Sequence, residues 1–318
     1  MPPVVHWDEV ERERLELGEL ASWATDLGTA AGSVTIGVTR WQLDPDKRST
    51  PAHVELAEEE IFYVLAGSGL SWQNGETYEV GPGDCLVHPV RAQAHTLRSG
   101  SDGLDVLAFG MRVDPGGTHL PRARVVRMPP AWVADPGDPR PWEREIAAGP
   151  LEFPAPTERP QRIVNMTDVP VRPQQHGSVD TQRRFLGRAA GSRKTGLNHV
   201  TVASGKLSAA PHCHSAEEEI FVVLEGEGDL ELTPAPDRVD DGLEPDRHPV
   251  RAGSVVARPA GTGVAHAFRA GHAGLTLLAY GTREPNDIAY YPRSRKLFFR
   301  GVGVIAGVEH VDYWEGED

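Results

Sequence analysis

Two halves of this sequence can be laid over one another almost end to end. His53, Glu60 and Gly67 recur as His212, Glu219 and Gly226, each 159 residues later (212 minus 53). Upstream the spacing holds without a gap, with Leu27-Gly28-Thr29-Ala30-Ala31-Gly32-Ser33 against Leu186-Gly187-Arg188-Ala189-Ala190-Gly191-Ser192. Downstream it becomes 171 (266 minus 95): His95 matches His266, and Gly103-Leu104-Asp105-Val106-Leu107 matches Gly274-Leu275-Thr276-Leu277-Leu278. The additional residues fall around Pro234 to Pro249, so a longer loop joins two strands in the second copy. Two collinear copies at so long a period specify two similar domains, not a solenoid of short repeats. The 318 residues let each copy bury its own core. The expected domains are residues 1–128 and 161–318, joined by a linker over 129–160. That linker holds nine prolines and little apolar periodicity. It reads as semi-extended chain, poor as helix or strand, pinned to a domain surface by Trp132 and Trp142.

The densest chemistry lies in the second copy. In Pro211-His212-Cys213-His214-Ser215-Ala216-Glu217-Glu218-Glu219, two histidines stand two apart and a carboxylate opens the β-branched and aromatic run Ile220 to Leu224. Side chains at i and i+2 of an extended chain share a face, so His212 and His214 point one way and Cys213 the other. Two imidazoles and a carboxylate converging on one side of a sheet suit a divalent transition metal. His266 is the candidate fourth ligand. Gly253 to Ala257 reads as a strand, Pro259 to Gly263 as its turn, and His266 opens the returning strand.

Taken in order, His-x-His-x4-Glu, then Val223-Leu224-Glu225-Gly226, then Pro259-Ala260-Gly261 and a later histidine resemble the two motifs of the cupin family. With the duplication, the resemblance is to a bicupin over nearly the whole chain. It implies an all-β fold of two tandem antiparallel β-barrel (jelly-roll, cupin) domains with a Pro-rich linker. By that pattern the metal ligands are His212, His214, Glu219 and His266. The pattern places its glutamate seven residues before the glycine, which selects Glu219. Glu217 and Glu218 are then expected on a solvated charged turn. Alternation sets Phe221 and Val223 beside Glu219, and Phe268 beside His266. These three, with Tyr280, are the expected lining of a substrate pocket.

The first copy departs from the pattern. Glu55 stands where His214 stands in the second, so the candidate set is His53, Glu55, Glu60 and His95. Three outcomes stay open: a second, harder metal site, a metal-free pocket, or a purely structural barrel. Without a metal, Glu55 and Glu60 side by side would force one carboxylate's pKa upward. His88 is expected on the surface. Trp7 to Leu20, with mixed charges and near-helical apolar spacing, is expected to form a short helix ahead of the first barrel.

A net charge of −14 argues against nucleic acid or anionic membranes as partners. No charged region followed by an apolar core opens the chain, and no apolar stretch reaches spanning length. Cys85 and Cys213 occupy non-equivalent places, so no disulfide and a reducing cytoplasm are expected. The apolar, aromatic and basic tail from Tyr290 to Arg300 is expected at a domain or dimer interface.

Four protein ligands on an ion that prefers six leave about two positions for a small, partly apolar, oxygen-bearing substrate. The donor set suits Fe, Mn, Ni, Co or Zn, and one such ion is expected in the C-terminal domain. No catalytic side chain beyond the ligands is singled out. Among bicupins, oxalate decarboxylases carry the full ligand set in both barrels, which this chain does not. Quercetinase-like oxygenases share the set of the second barrel. The foremost expectation is therefore an oxidoreductase of dioxygenase type. The alternatives are a non-redox isomerase, lyase or hydrolase, and a small-molecule binding bicupin without catalysis. The resemblance also implies a homodimer.

Overall fold

The computed structural model describes residues 3–128, 131–133, 142–311 and 313–317. Each half forms an eight-stranded antiparallel sheet with a four-stranded companion, the jelly-roll arrangement, without closing into a continuous hydrogen-bonded barrel. One long strand pair carries each half. Glu60–Gln73 pairs with His95–Met111 in the first, and Glu219–Pro234 with Val264–Thr282 in the second. Ile61-Phe62-Tyr63-Val64 and Ile220-Phe221-Val222-Val223 are apolar throughout because both faces of these strands are covered. Phe62 and Val64, or Phe221 and Val223, fill their own barrel. Ile61, Leu107 and Phe109 meet Ile220, Leu278 and Tyr280 in a shared cluster between the halves.

Both long pairs bulge at the glycine of the repeated motif. Gly67 and Gly226 have φ of 81° and 80°. A Cβ there would lie 2.3 and 2.2 Å from the carbonyl oxygens of Gly103 and Gly274. Only glycine tolerates that backbone and that approach. In the first copy the strand then turns through Asn74 and Gly75, both at positive φ, as a two-residue hairpin requires. The second copy has the expected longer connection, with a short helix Pro236–Asp240 leading to the strand Asp246–Arg251.

The halves exchange strands across the expected domain division. Val5–His6 pairs with Ser254–Arg258 of the second half, and Ile163–Asn165 pairs with Asp84–His88 of the first. A reciprocal pair of buried carboxylates adds to the tie. Glu218 accepts from the Val34 N–H at 2.7 Å, the Thr35 N–H at 2.5 Å and the Thr35 hydroxyl at 2.6 Å. Glu59, its counterpart, accepts from the Ser192 hydroxyl at 2.7 Å, the Arg193 N–H at 3.0 Å and the Thr195 hydroxyl at 2.8 Å. The solvated turn expected for Glu217 and Glu218 is thus overturned, since both are buried. The barrels pack against one another at these loops, and a charge taken from water there must be hydrogen-bonded.

Other expectations also give way. Trp7 to Leu20 contains no helix: Glu13–Leu17 and Leu20–Asp26 form an edge hairpin, where charged side chains on the outer strand are ordinary. The ring of Tyr280 lies in the cluster between the halves, 5.0 Å from that of Phe109, while residue 280 also borders the cleft that opens onto Glu219. The register break between Ala270 and Leu275 inverts the alternation of that strand, so Ala279 faces inward and Tyr280 outward. Within the linker, Trp142–Ala147 is a short helix that buries Glu145 against Arg48 at 3.1 Å and Arg122 at 3.3 Å. Trp142 is half-buried, and Ala131–Trp132 pairs with Val125–Met128. Pro129, Pro130 and residues 134–141 lie outside the described residues. The tail strands Ile288–Tyr291, Lys296–Phe299 and Val304–Gly307 form one sheet with Cys213–His214, so the tail backs a ligand-bearing strand. Both cysteines are buried and free, and no described helix is long and apolar enough to cross a membrane.

Candidate metal centre

The second barrel brings together all four side chains that its motif singles out. His212 bridges to His266 across the sheets, while Glu219 opens the long strand beside them. Nδ1 of His212 meets the Ala210 carbonyl oxygen at 2.8 Å, and Nδ1 of His214 meets Asp287 Oδ2 at 2.7 Å. With Nδ1 held, each of these two rings leaves Nε2 free. His266 Nε2 lies 3.1 Å and His214 Nε2 3.4 Å from Glu219 Oε2. His212, Glu219 and His266 offer atoms all within 4.8 Å of one another. The decisive detail is that His214 Nε2, His266 Nε2 and Glu219 Oε2 are buried without a hydrogen-bond partner. Buried polar atoms seldom stay unpaired, and two of these lie 3.1 and 3.4 Å from the third, Glu219 Oε2. Three imidazole nitrogens and one carboxylate oxygen in that arrangement fit a divalent transition ion.

The charges agree with a tightly coupled set. Burial pushes His266 down to about 4 against the pull of Glu219, and lowers His212 as well. Burial would likewise lower His214, but its hydrogen bond to Asp287 and the nearby charge of Glu219 outweigh it and carry it up to about 10. Glu219, which burial alone would raise, is held well below the carboxylate range by His214 and His266. Asp287, buried on a loop 73 residues after His214, is a site residue that sequence reasoning missed. It also accepts from the Ala216 and Glu217 N–H groups at 3.0 and 3.2 Å. The available signal was that Asp287 stands where the first copy has Gly116 (287 minus 171).

Phe221 stands edge-on to His266 with ring centres 5.3 Å apart, and packs with Phe268 at 4.9 Å. Phe221, Val223 and Phe268 thus form one apolar wall. Two arginines share the inward face. Arg258 is the Cα partner of Glu219, and Arg183 is the partner of Val200, itself in the interior cluster. A cleft of about 440 Å³ opens onto Glu219 between Asn198, Ala279 and Gly281, with Arg283 and Arg300 among its other residues.

The first barrel gathers His53, Glu55, Glu60 and His95, but they satisfy one another. His95 Nε2 meets Glu60 Oε2 at 2.9 Å, and His53 Nε2 lies 3.5 Å from the same oxygen. The Thr118 hydroxyl reaches both Glu55 oxygens at 3.1 Å. Burial, then the Glu60 charge, raises Glu55 to about 7, as expected for crowded carboxylates. A small cavity of about 110 Å³ adjoins His53, Glu60, Phe62 and Trp41. The surface position expected for His88 is overturned: it is buried and stacked on His95, with ring centres 3.8 Å apart and planes at 6°. As the Cα partner of Glu60 it shares that residue's inward face.

Residues 39–109 and 198–278 each match the Cupin_2 family model, described as "Cupin domain". No curated protein matches the sequence. Among solved structures, oxalate decarboxylase from Bacillus subtilis at pH 4.6 is 14% identical, over 90% of this chain and 79% of that one, with a TM-score of 0.58. A structure concerned with the Mn(II) centres of the same enzyme is 15% identical, over 90% and 78%, with a TM-score of 0.59. A third, concerned with the substrate binding mode and a reaction specificity switch in oxalate decarboxylase, is 15% identical over the same shares, with a TM-score of 0.58. At such identity the likeness is one of fold.

Proposed function

Because both halves of the chain are cupin domains, making it a bicupin of the cupin family, we propose that it is a metal-dependent enzyme of lyase type. It acts on a small oxygen-bearing molecule in the second barrel, the domain of residues 161–318. The observation that carries this reading is the set of unpaired buried atoms on His214, His266 and Glu219, with His212 beside them. His212, His214, Glu219 and His266 would hold the ion, drawn from Mn, Fe, Co, Ni and Zn by donor type. Bound there, the ion would supply Lewis acidity toward a substrate oxygen. Asp287 accepts a hydrogen bond from Nδ1–H of His214 and so fixes which nitrogen faces inward. Phe221 and Phe268 keep water from the inner wall. The first barrel ranks second as a metal site, since His95 already bonds to Glu60 at 2.9 Å.

A lyase reading is preferred to the dioxygenase expected from the motif, because solved structures that share the fold include oxalate decarboxylases, one of them studied at Mn(II) centres. The test is metal analysis of the full chain expressed with manganese, followed by incubation with small hydroxy, keto and carboxylic acids under argon and under air. The expected result is about one ion per chain, lost in His212→Ala and His266→Ala but kept in His53→Ala, with CO2 release or substrate loss under argon. Turnover that requires oxygen would restore the dioxygenase reading. Failure of the wild-type protein to retain any divalent ion would overturn the proposal.

A further inference from the structure

Arg300 opens the short turn Arg300–Val302 of the tail and reaches the support of a metal ligand from behind. The strand before it, Lys296–Phe299, pairs with Ile288–Tyr291, and that strand pairs with Cys213–His214. One small sheet therefore carries His214 and sets Arg300 beside Asp287, the residue just ahead of the middle strand. The Arg300 N–H donates to the Asp287 carbonyl oxygen at 3.1 Å, and Arg300 Nε lies 3.8 Å from Asp287 Oδ2. Nη2 of the same side chain donates to Glu217 Oε2. Glu217 is buried too, with Oε2 3.8 Å from Nδ1 of His214. Among the described residues, Arg300 is the only arginine or lysine within ion-pair distance of Asp287 or Glu217.

Two buried carboxylates beside one imidazole call for a cation, because charges taken out of water must be paired. The arrangement also contains a competition. His214 has one Nδ1–H to give, and Asp287 holds it at 2.7 Å. Glu217 is a second acceptor near the same nitrogen, and it is held aside by Arg300 on one oxygen and by the Glu284 N–H at 2.9 Å on the other. The repeat isolates the feature. Glu217 has a counterpart in Glu58 (217 minus 159), but His214, Asp287 and Arg300 are replaced together by Glu55, Gly116 and Pro129 (214 minus 159, 287 minus 171 and 300 minus 171). The arginine stands in the copy that has a histidine and an aspartate to hold in place, and is missing from the other.

We infer that Arg300 is a positioning residue of the second metal centre: it keeps Glu217 off His214 and Asp287 on it, so that Nε2 of His214 stays turned toward Glu219. This rests on the reading of the second barrel as a metal site. Among the described residues, the Arg300 side chain meets Glu217 and Asp287 and none of the four ligands, so it acts through the two carboxylates. A guanidinium suits the task because its planar fork can face two carboxylates at once, whereas an ammonium is a single point of charge. The tail thereby carries part of the centre although it supplies no ligand.

The test uses the full chain and Mn(II), with the Kd of the ion read by competition with a chromogenic chelator. Arg300→Gln should raise that Kd about tenfold or more, the usual cost of losing a group behind a metal-bound histidine. Arg300→Lys keeps the charge but not the fork, and should raise it by less, about three- to fivefold. Arg295→Gln makes the same charge change on the same arm, away from both carboxylates, and should stay within about twofold of wild type. In an Asp287→Asn chain, adding Arg300→Gln should raise the Kd by no more than about threefold, because the two residues act on one group. A Kd for Arg300→Gln within about twofold of wild type, or losses in Arg300→Gln and Asp287→Asn that multiply in full, would show a structural arginine and overturn the inference. An equal loss in Arg295→Gln would also overturn it, as a general effect of charge. If Arg300→Gln does not fold, Arg300→Lys carries the same comparisons, alone and with Asp287→Asn. If the wild-type chain retains no manganese, the metal reading fails by itself. The placing of His214 is then read from its Nδ1–H proton resonance in the metal-free chain, assigned by its loss in His214→Gln. That signal should persist in Arg295→Gln and vanish or move in Arg300→Gln, and an unchanged signal in Arg300→Gln would overturn the inference.

Discussion

Replacing Glu218 by Gln tests whether the second metal centre depends on the contact between the barrels. The carboxylate of Glu218 accepts three hydrogen bonds from Val34 and Thr35 of the other half. Glutamine keeps one acceptor oxygen, but its amide nitrogen faces donors, and the charge assistance is gone. Charged hydrogen bonds contribute roughly 1.5–3 kcal/mol each, and leaving buried donors unpaired costs further. With the amide oxygen in the place of Oε2, the two Thr35 bonds are kept and the Val34 bond is lost, for an expected loss of about 3 kcal/mol. Urea denaturation followed by tryptophan fluorescence should show a lowered midpoint at unchanged slope. Glu59→Gln should cost a similar amount, and the two should add within about 0.5 kcal/mol, because they latch different loops. Only Glu218 adjoins Glu219, so only Glu218→Gln should also weaken metal retention. A change within about 0.5 kcal/mol of wild type, as a solvated turn gives, would refute the latch.

Asp287→Asn preserves the acceptor for the Ala216 and Glu217 N–H groups but not for Nδ1–H of His214; divalent-ion Kd should rise about 10- to 100-fold, measured by competition with a chromogenic chelator. His199 is buried, and burial with the Arg184 charge lowers it to about 4, below its ordinary 6.5. The folded state therefore favours the neutral ring, so the contribution is whole above pH 6.5 and is lost as pH falls towards 4, by up to ~3 kcal/mol. In melts across that window His199→Gln should lose less stability than wild type, and parallel curves would refute the assignment.

The architecture was legible because the repeat and its spacing are properties of the chain. The motif glycines Gly67 and Gly226 mark bulges, and the Pro234 to Pro249 insertion marks a loop, wherever the halves are placed. The four second-barrel side chains were legible for the same reason: two-residue alternation brings His212 and His214 to one face, and the order of motifs brings Glu219 and His266 to it. The failures have a common origin in distance along the chain. Tyr280 lies beyond a register break that reverses the alternation of its strand. His88 looks like a strand-end histidine until its pairing with Glu60 turns it inward.

Local pattern, then, determined which residues alternate, where the chain must bend, and that two like domains exist. Packing decided what lies under each charge. Glu218 reads as surface in any window of sequence and is buried only because the other half covers it. Asp287 becomes a partner of His214 only when strands far apart in sequence are laid side by side. A sequence window records neighbours along the chain, whereas desolvation and hydrogen bonding act on neighbours in space.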